Sequence, residues 1–352
     1  MHQEQKSART KLISNCRILR EGKWLTDRLP DVLKNTKDRY RLFGSPAFRA
    51  MVYVEGLLLK GARKYFDDME FKEIVVPHIT KATGACENID TLFGVDYFGE
   101  AGYLSQTAQL YLESLIPWMN KVWCISPSFR AEPKVDNRHL TEFTLVELEF
   151  AGTFEELLEH IEGITTSMIE SVLKKMTSRW LDRNRLRRIT PPFQRITYEE
   201  TIEAFDREFG HDITREEEQL LVKKFGDLPL FITHYPKSMK FFNMIENREN
   251  PELVDSADLV LPFGGEAVGA ASREYRPDRL YKRLTESQML KQLEARGGSI
   301  EDFDWYINVY RKYATAPHAG CGIGLNRVTQ FVLGVDDIRM CTAYPLNKET
   351  LL

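Results

Sequence analysis

Lys121–Arg130 and Thr141–Phe150 are two strand-like runs joined by a charged loop, Ala131–Arg138, that contains Pro133 and Asn137. The pair reads as an antiparallel hairpin with a long tip. Period-two alternation puts Phe143, Leu145, Glu147 and Glu149 on one face and Thr144, Val146, Leu148 and Phe150 on the other. Two carboxylates on the Phe143 face do not suit a simple core strand. They suit the wall of a polar site.

The rest of the chain supplies elements of both kinds. Ser45 is placed to cap a helix, Pro46 fits its first position, and Val52, Leu57, Leu58, Ala62, Tyr65 and Phe66 recur at helical spacing up to Asp68. Phe71–Val76 then reads as a strand stopped by Pro77. Thr153 and Glu156 match a capping box, and the helix they open runs to about Lys175. Residues 178–225 read as polar and helical. Asp227–Ile232 and Asp258–Leu261 read as buried strands, and Ser287–Tyr313 as helix broken at Gly297–Gly298. Gly320–Gly324 reads as a glycine-rich strand, followed by a helix over Asn326–Leu333. Strand and helix runs are mixed rather than strictly alternating, which favours an α+β domain on a largely antiparallel sheet.

With 352 residues, 43% of them hydrophobic, the chain can bury a large core. The net charge of -4 carries no basic excess of the kind a nucleic-acid footprint shows. The five cysteines are odd in number and form no CxxC pair, against a disulfide framework or a zinc ribbon. No signal-type leader and no run of about 18 apolar residues is present, so a cytoplasmic protein with no membrane partner is expected.

Three blocks point to chemistry: the helix–strand unit ending at Pro77, SPSFRAEPKVDNRHLTEFTLVELEF at 126–150, and PHAGCGIGLNR at 317–327. In this order they resemble the three signature motifs of class II aminoacyl-tRNA synthetases. The resemblance implies a single catalytic domain over 45–352, an antiparallel sheet flanked by helices. A helical insertion would fall at about 151–225, and residues 1–44 would be a short extension. It also implies ATP activation, in which a carboxylate attacks the α-phosphate and pyrophosphate leaves. A rigid guanidinium suits the charge gained by the phosphate oxygens.

The resemblance carries over residue by residue. Arg130 matches the arginine for the α-phosphate and the reacting carboxylate, and Glu132 a loop acid near the adenine. Arg138 and His139 sit where the family contacts the outer phosphates. Phe143 matches the aromatic stacked on adenine. Gly322 and Gly324 let the flat base approach the backbone, and Arg327 would lie on the base's other side and reach the γ-phosphate. Asp258-Leu-Val-Leu-Pro-Phe-Gly-Gly-Glu266 resembles the asparaginyl DLLvPgxGE segment, whose two acids, here Asp258 and Glu266, hold Mg²⁺. Val95–Gly99 and Leu104–Glu113 resemble the asparaginyl DYFG and LxQSxQLYLE stretches, with Leu112 where aspartyl enzymes carry a lysine. Glu87, Ser105, Gln109, Glu147 and Arg273 are the implied amino-acid pocket, Arg273 falling at the family's QRE arginine.

The departures suggest an edited enzyme. Residues 1–44 are too short for the family's five-stranded anticodon-reading barrel. Asn326 replaces an acid, Leu346 stands where the closing PFPR has its arginine, and GGSQRE is Gly269-Ala270-Ala271-Ser272-Arg273-Glu274. This pattern resembles an archaeal-type asparagine synthetase. The expectation is therefore aspartate, ATP and ammonia converted to asparagine, AMP and pyrophosphate through a β-aspartyl-adenylate, by a homodimer with tRNA an unlikely partner. The alternatives are an adenylating ligase that passes activated Asp or Asn to another amine, and a stand-alone acylator of tRNA or a carrier.

Overall fold

Helix α1 occupies Pro46–Asp68, the bounds its apolar spacing predicts. The computed structural model describes residues 40, 43, 46–82, 89–177, 180–313 and 315–350, so the expected cap Ser45 and nearly all of the 1–44 extension lie outside the described residues. Met51, Val54, Leu57, Leu58, Ala62 and Phe66 are buried along one stripe of α1. Its outer face leaves Val52 and Tyr53 exposed. Phe66 is fully buried and stacks on Trp123 at 4.2 Å between ring centres.

Only Lys72–Glu73 of the expected Phe71–Val76 strand pairs, as β1. Two short strands further on, β3 (Gly94–Tyr97) and β4 (Glu100–Leu104), form a small antiparallel sheet with β2 (Ile79–Thr80) in the order β2-β4-β3. Short helices α2 (Gln109–Glu113) and α3 (Ile116–Met119) then lead into the hairpin, β5 (Lys121–Phe129) and β6 (Glu142–Ala151). Helix α4 (Phe154–Lys175) opens on the expected capping box: the Glu156 backbone N–H donates to Thr153 Oγ1, and the Thr153 N–H donates to Glu156 Oε2 at 2.7 Å. Helices α1 and α4 pack so closely that a side chain at Gly61 would meet the Met168 backbone.

Residues 178–225 differ from the helical reading. They hold α5 (Arg183–Arg187), α6 (Tyr198–Ala204) and α7 (Arg215–Lys224), but also strand β7 (Gln194–Thr197). β7 is a polar edge strand, exposed at Gln194 and Arg195, so no apolar alternation announces it. It pairs in parallel with β8 (Leu230–Thr233). β9 (Ser256–Leu261) and β10 (Gly265–Ser272) follow, then α8 (Pro277–Glu286), α9 (Gln288–Glu294), α10 (Asp304–Lys312), β11 (His318–Gly324) and α11 (Leu325–Leu333).

The main sheet runs β1-β5-β6-β11-β10-β9-β8-β7, antiparallel except at its two edges. On one face Val146, Leu148 and Phe150 join the buried stripes of α1, α4 and α11 in the largest apolar cluster. A second cluster, with Phe242, Leu280, Leu293, Phe303 and Tyr306, closes the far end of the other face. The fold is therefore α+β, with an antiparallel-dominated sheet flanked by helices. No helix among the described residues is long and apolar enough to cross a membrane.

Candidate active site

The cross-strand register builds the polar face. Glu147 of β6 lies opposite Gly322 of β11, Gly322 opposite Gly269 of β10, and Gly269 opposite Asp258 of β9. Glu149, Gly320, Ala271 and Ser256 make the parallel row two residues along. Carboxylates thus stand on both sides of a trough whose floor is bare backbone, because its middle strands offer Gly or Ala.

At the hairpin end of the trough, the Arg130 guanidinium lies 5.4 Å from the Phe143 ring centre. Among the described residues its buried Nε has no hydrogen-bond partner, and neither has the buried Arg138 Nε. Buried donors of that kind suit an anionic ligand. The tip loop is ordered by Asp136, whose Oδ1 accepts the Arg138 and His139 backbone N–H groups at 2.8 and 2.9 Å, while its Oδ2 lies 2.9 Å from His139 Nδ1. Glu132 sits half-buried in the first turn of that loop, its N–H on the Arg130 carbonyl at 2.8 Å. Arg327 comes from α11 and donates from Nη1 to the Gly264 carbonyl at 2.8 Å. Burial lowers its pKa, and the neighbouring Arg138 adds to this while Glu266 opposes it.

Asp258 and Glu266 converge over Gly269. A side chain built there would lie 3.7 Å from Glu266 Oε1 and 4.0 Å from Asp258 Oδ1. Two hard oxygen donors over an open floor fit a Mg²⁺ that takes its remaining ligands from phosphates and water. Lys240 Nζ bonds Asp258 at 2.9 and 3.2 Å, so it stands where such an ion would approach. Glu218 of α7 reaches the same area. Burial, then the charge of Glu266, pushes its carboxyl up to about 8.

The other end of the trough is a buried network around three carboxyl groups. Glu147 accepts Thr107 Oγ1, the Ala108 N–H at 2.9 Å and Ser126 Oγ at 2.7 Å; burial still raises its pKa. Arg273 donates from Nε and Nη2 to Glu149 at 2.9 and 3.2 Å. Glu113 accepts Gln109 Nε2 at 2.7 Å, Asn243 Nδ2 at 2.5 Å, and the hydroxyls of Tyr306 and Tyr310 at 2.5 and 3.2 Å. Burial pushes Glu113 up, but the His318 ring 3.9 Å away and the Arg273 charge outweigh it and hold its pKa low. Burial, with the nearby Glu113 charge, outweighs Arg273 and His318 at Glu149 and pushes it up to about 7.

The structure thus brings Arg130, Phe143, Arg138, Arg327, Gly322, Gly324, Asp258, Glu266, Glu147, Gln109 and Arg273 to one face. Ser105 is buried just past β4, where its N–H donates to the His78 carbonyl and its carbonyl accepts the Phe129 N–H. Thr107, two residues on, meets Glu147 instead. Glu87 lies outside the described residues. Sequence reasoning assigned no role to Thr107, Ser126, Lys240, Glu218, Asn243, Tyr306, Tyr310 or His318. The Tyr306–Tyr310 spacing of one helical turn was a usable signal for a shared face. Asn243 carried none.

Such a trough, with arginines over a glycine floor beside buried, bonded carboxylates, suits a polyphosphate and a small polar ligand. Residues 32–348 match the family model described as tRNA synthetases class II (D, K and N), and the chain belongs to this family. It is 36% identical over 336 residues to the asparagine--tRNA ligase of Thermococcus gammatolerans, spanning 92% of this chain and 75% of that protein. Among solved structures it resembles the asparaginyl-tRNA synthetase from Pyrococcus horikoshii complexed with asparaginyl-adenylate, with a TM-score of 0.84, 32% identity, and 92% and 73% of the two chains covered. The aspartyl tRNA synthetase from Entamoeba histolytica is more distant, with a TM-score of 0.72, 25% identity, and 94% and 64% covered.

These relatives overturn the expectation of free asparagine synthesis, with ammonia as partner and tRNA unlikely. Relatives that match most of the chain and about three quarters of their own length are tRNA ligases. Net charge was a poor guide to tRNA, since a total of -4 averages over the surface and excludes no local basic patch.

Proposed function

We propose that this chain is an AMP-forming ligase that activates asparagine with ATP and passes it to tRNA. The observation that carries this reading is the trough itself, which sets Arg130 and Arg327 on a glycine floor next to the Arg273–Glu149–Glu113 pocket. The relatives' names supply the amino acid and the acceptor. In the first step an oxygen of the asparagine α-carboxylate bonds the α-phosphorus, the bond to the bridging oxygen breaks, and pyrophosphate leaves. In the second a tRNA ribose hydroxyl attacks the adenylate carbonyl and AMP leaves.

In this reading Arg130 neutralises charge that grows on the α-phosphate oxygens, and Phe143 and Gly322–Gly324 hold the adenine between a ring and the strand. Arg138, His139 and Arg327 take the outer phosphates, and Glu132 the edge of the base. Asp258 and Glu266 hold Mg²⁺, which when bound screens the triphosphate charge. Gln109, Glu147 and Arg273 face the amino acid. The buried free thiols of Cys124, Cys321 and Cys341 agree with a cytoplasmic setting.

The test is ATP–pyrophosphate exchange and tRNA charging with the purified chain. Asparagine-dependent exchange and asparaginylated tRNA are expected. Exchange that is indifferent to asparagine, or an adenylate that no tRNA discharges, would overturn the proposal.

A further inference from the structure

Arg185, on the short helix α5, reaches across to the far end of α11. Its Nη2 donates to the Phe331 and Val332 carbonyls at 2.7 and 3.2 Å. These belong to the last turn of α11, where carbonyls lack the usual intrahelical donors and a positive charge is favoured. The same guanidinium meets two rings, 4.9 Å from the centre of Phe331 and 5.2 Å from that of Phe263. Gly334, just past α11, leaves room for it, since a side chain there would lie 3.4 Å from Nη2.

Phe263 lies in the turn between β9 and β10, with a φ of 66°. That left-handed conformation costs a bulky residue free energy and persists where the surroundings fix it. Here Arg185 holds the ring, and Gln219 Oε1 of α7 accepts the Phe263 N–H at 3.3 Å. The next residue, Gly264, packs so tightly on α11 that a side chain there would meet the Arg327 carbonyl at 2.7 Å. The Gly264 carbonyl accepts Arg327 Nη1 at 2.8 Å. Arg327 and Phe331 are one helical turn apart on α11 and so share a face. The contacts therefore close a ring: from Arg185 to Phe331, back one turn to Arg327, across to Gly264, and through Phe263 to Arg185 again. Glu266 leaves the same turn at the start of β10.

We propose that Arg185 is a positioning residue for the triphosphate, which holds the Phe263–Gly264 turn against α11 and thereby aims Arg327 at the outer phosphates of ATP. This rests on the ATP-activating reading above, and it adds a residue that lies outside the trough. Arg185 touches no reacting atom; it acts through Phe263 and α11.

The experiment is calorimetric binding, in Mg²⁺ buffer, of ATP and of a non-hydrolysable asparaginyl-adenylate analogue that carries no outer phosphates. Wild type, Arg185→Gln, Phe263→Gly and the double variant are compared. Each single change should raise the Kd for ATP by at least about tenfold and that for the analogue by less than about twofold. Glycine adopts the φ of residue 263 freely, so Phe263→Gly carries the test if Arg185→Gln does not fold. The double variant should bind ATP no more weakly than the weaker single one, because both changes open the same ring. Unmoved ATP affinity in the folded variants, equal losses for both ligands, or additive losses in the double variant would overturn the inference alone. A wild type that fails to bind ATP or the analogue would overturn the functional reading beneath it.

Discussion

Glu149 pairs across the sheet with Gly320, and its carboxylate fills the volume that a side chain at Gly320 would need. The glycine therefore sets the position of the acid that holds Arg273. In Gly320→Ala the new methyl would displace Glu149 and break its two bonds to Arg273. A stability loss of about 1–3 kcal/mol is expected from overpacking, together with a raised KM for the amino acid and a nearly unchanged KM for ATP. Equal losses in both KM values would mean that the damage spreads across the trough. Thermal melts and exchange kinetics on one preparation decide this.

Arg130 stands over Phe143 with a buried N–H that no group among the described residues meets. Arg130→Ala should lower the rate of adenylate formation by about 10²–10³, as removal of a preorganised transition-state donor does. The melting temperature should change little. Near-normal exchange would place the reacting phosphate elsewhere.

His160 lies under the sheet among Phe71, Phe150 and Tyr65, with its Nδ1 2.8 Å from the Tyr65 hydroxyl. Burial lowers its pKa to about 4. The folded value lies below the unfolded value of about 6.5. The neutral ring therefore stabilises the fold above that pH, and this is lost as pH falls toward the folded value. His160→Gln should melt lower than wild type at neutral pH but lose less on going to about pH 5. Parallel losses by calorimetry would assign the acid sensitivity to other groups.

Phe66 joins α1 to the sheet through its stack on Trp123 and its contact with Phe71 at 5.3 Å. Phe66→Ala should cost about 3–5 kcal/mol. Denaturant titration reads it directly, and a cost under about 1 kcal/mol would mean the site collapses to refill the cavity.

Local signals were enough for the elements whose cause is local. The apolar stripe set α1, the Thr153–Glu156 box set the start of α4, and alternation set which face of β6 carries Glu147 and Glu149. The fold class followed, and so did the placing of Arg130, Phe143, Gly322 and Gly324 on one face, because each lies in a short motif on one element. Edge strand β7 did not, since a strand exposed on one side needs no apolar pattern. The choice of free amidation over tRNA charging also went astray. It leaned on what the chain lacks, and a missing pattern specifies no chemistry.

The sequence by itself determined the hairpin, the helices that periodicity and caps specify, and the acids and arginines available to a site. Only the tertiary structure decided their partners. Glu149 and Arg273 are 124 positions apart, and Glu113 and Tyr306 are 193. Such pairs depend on the order in which β6, β11 and β10 meet and on where α10 docks. Those are set by the packing of the whole core, which no local window of sequence contains.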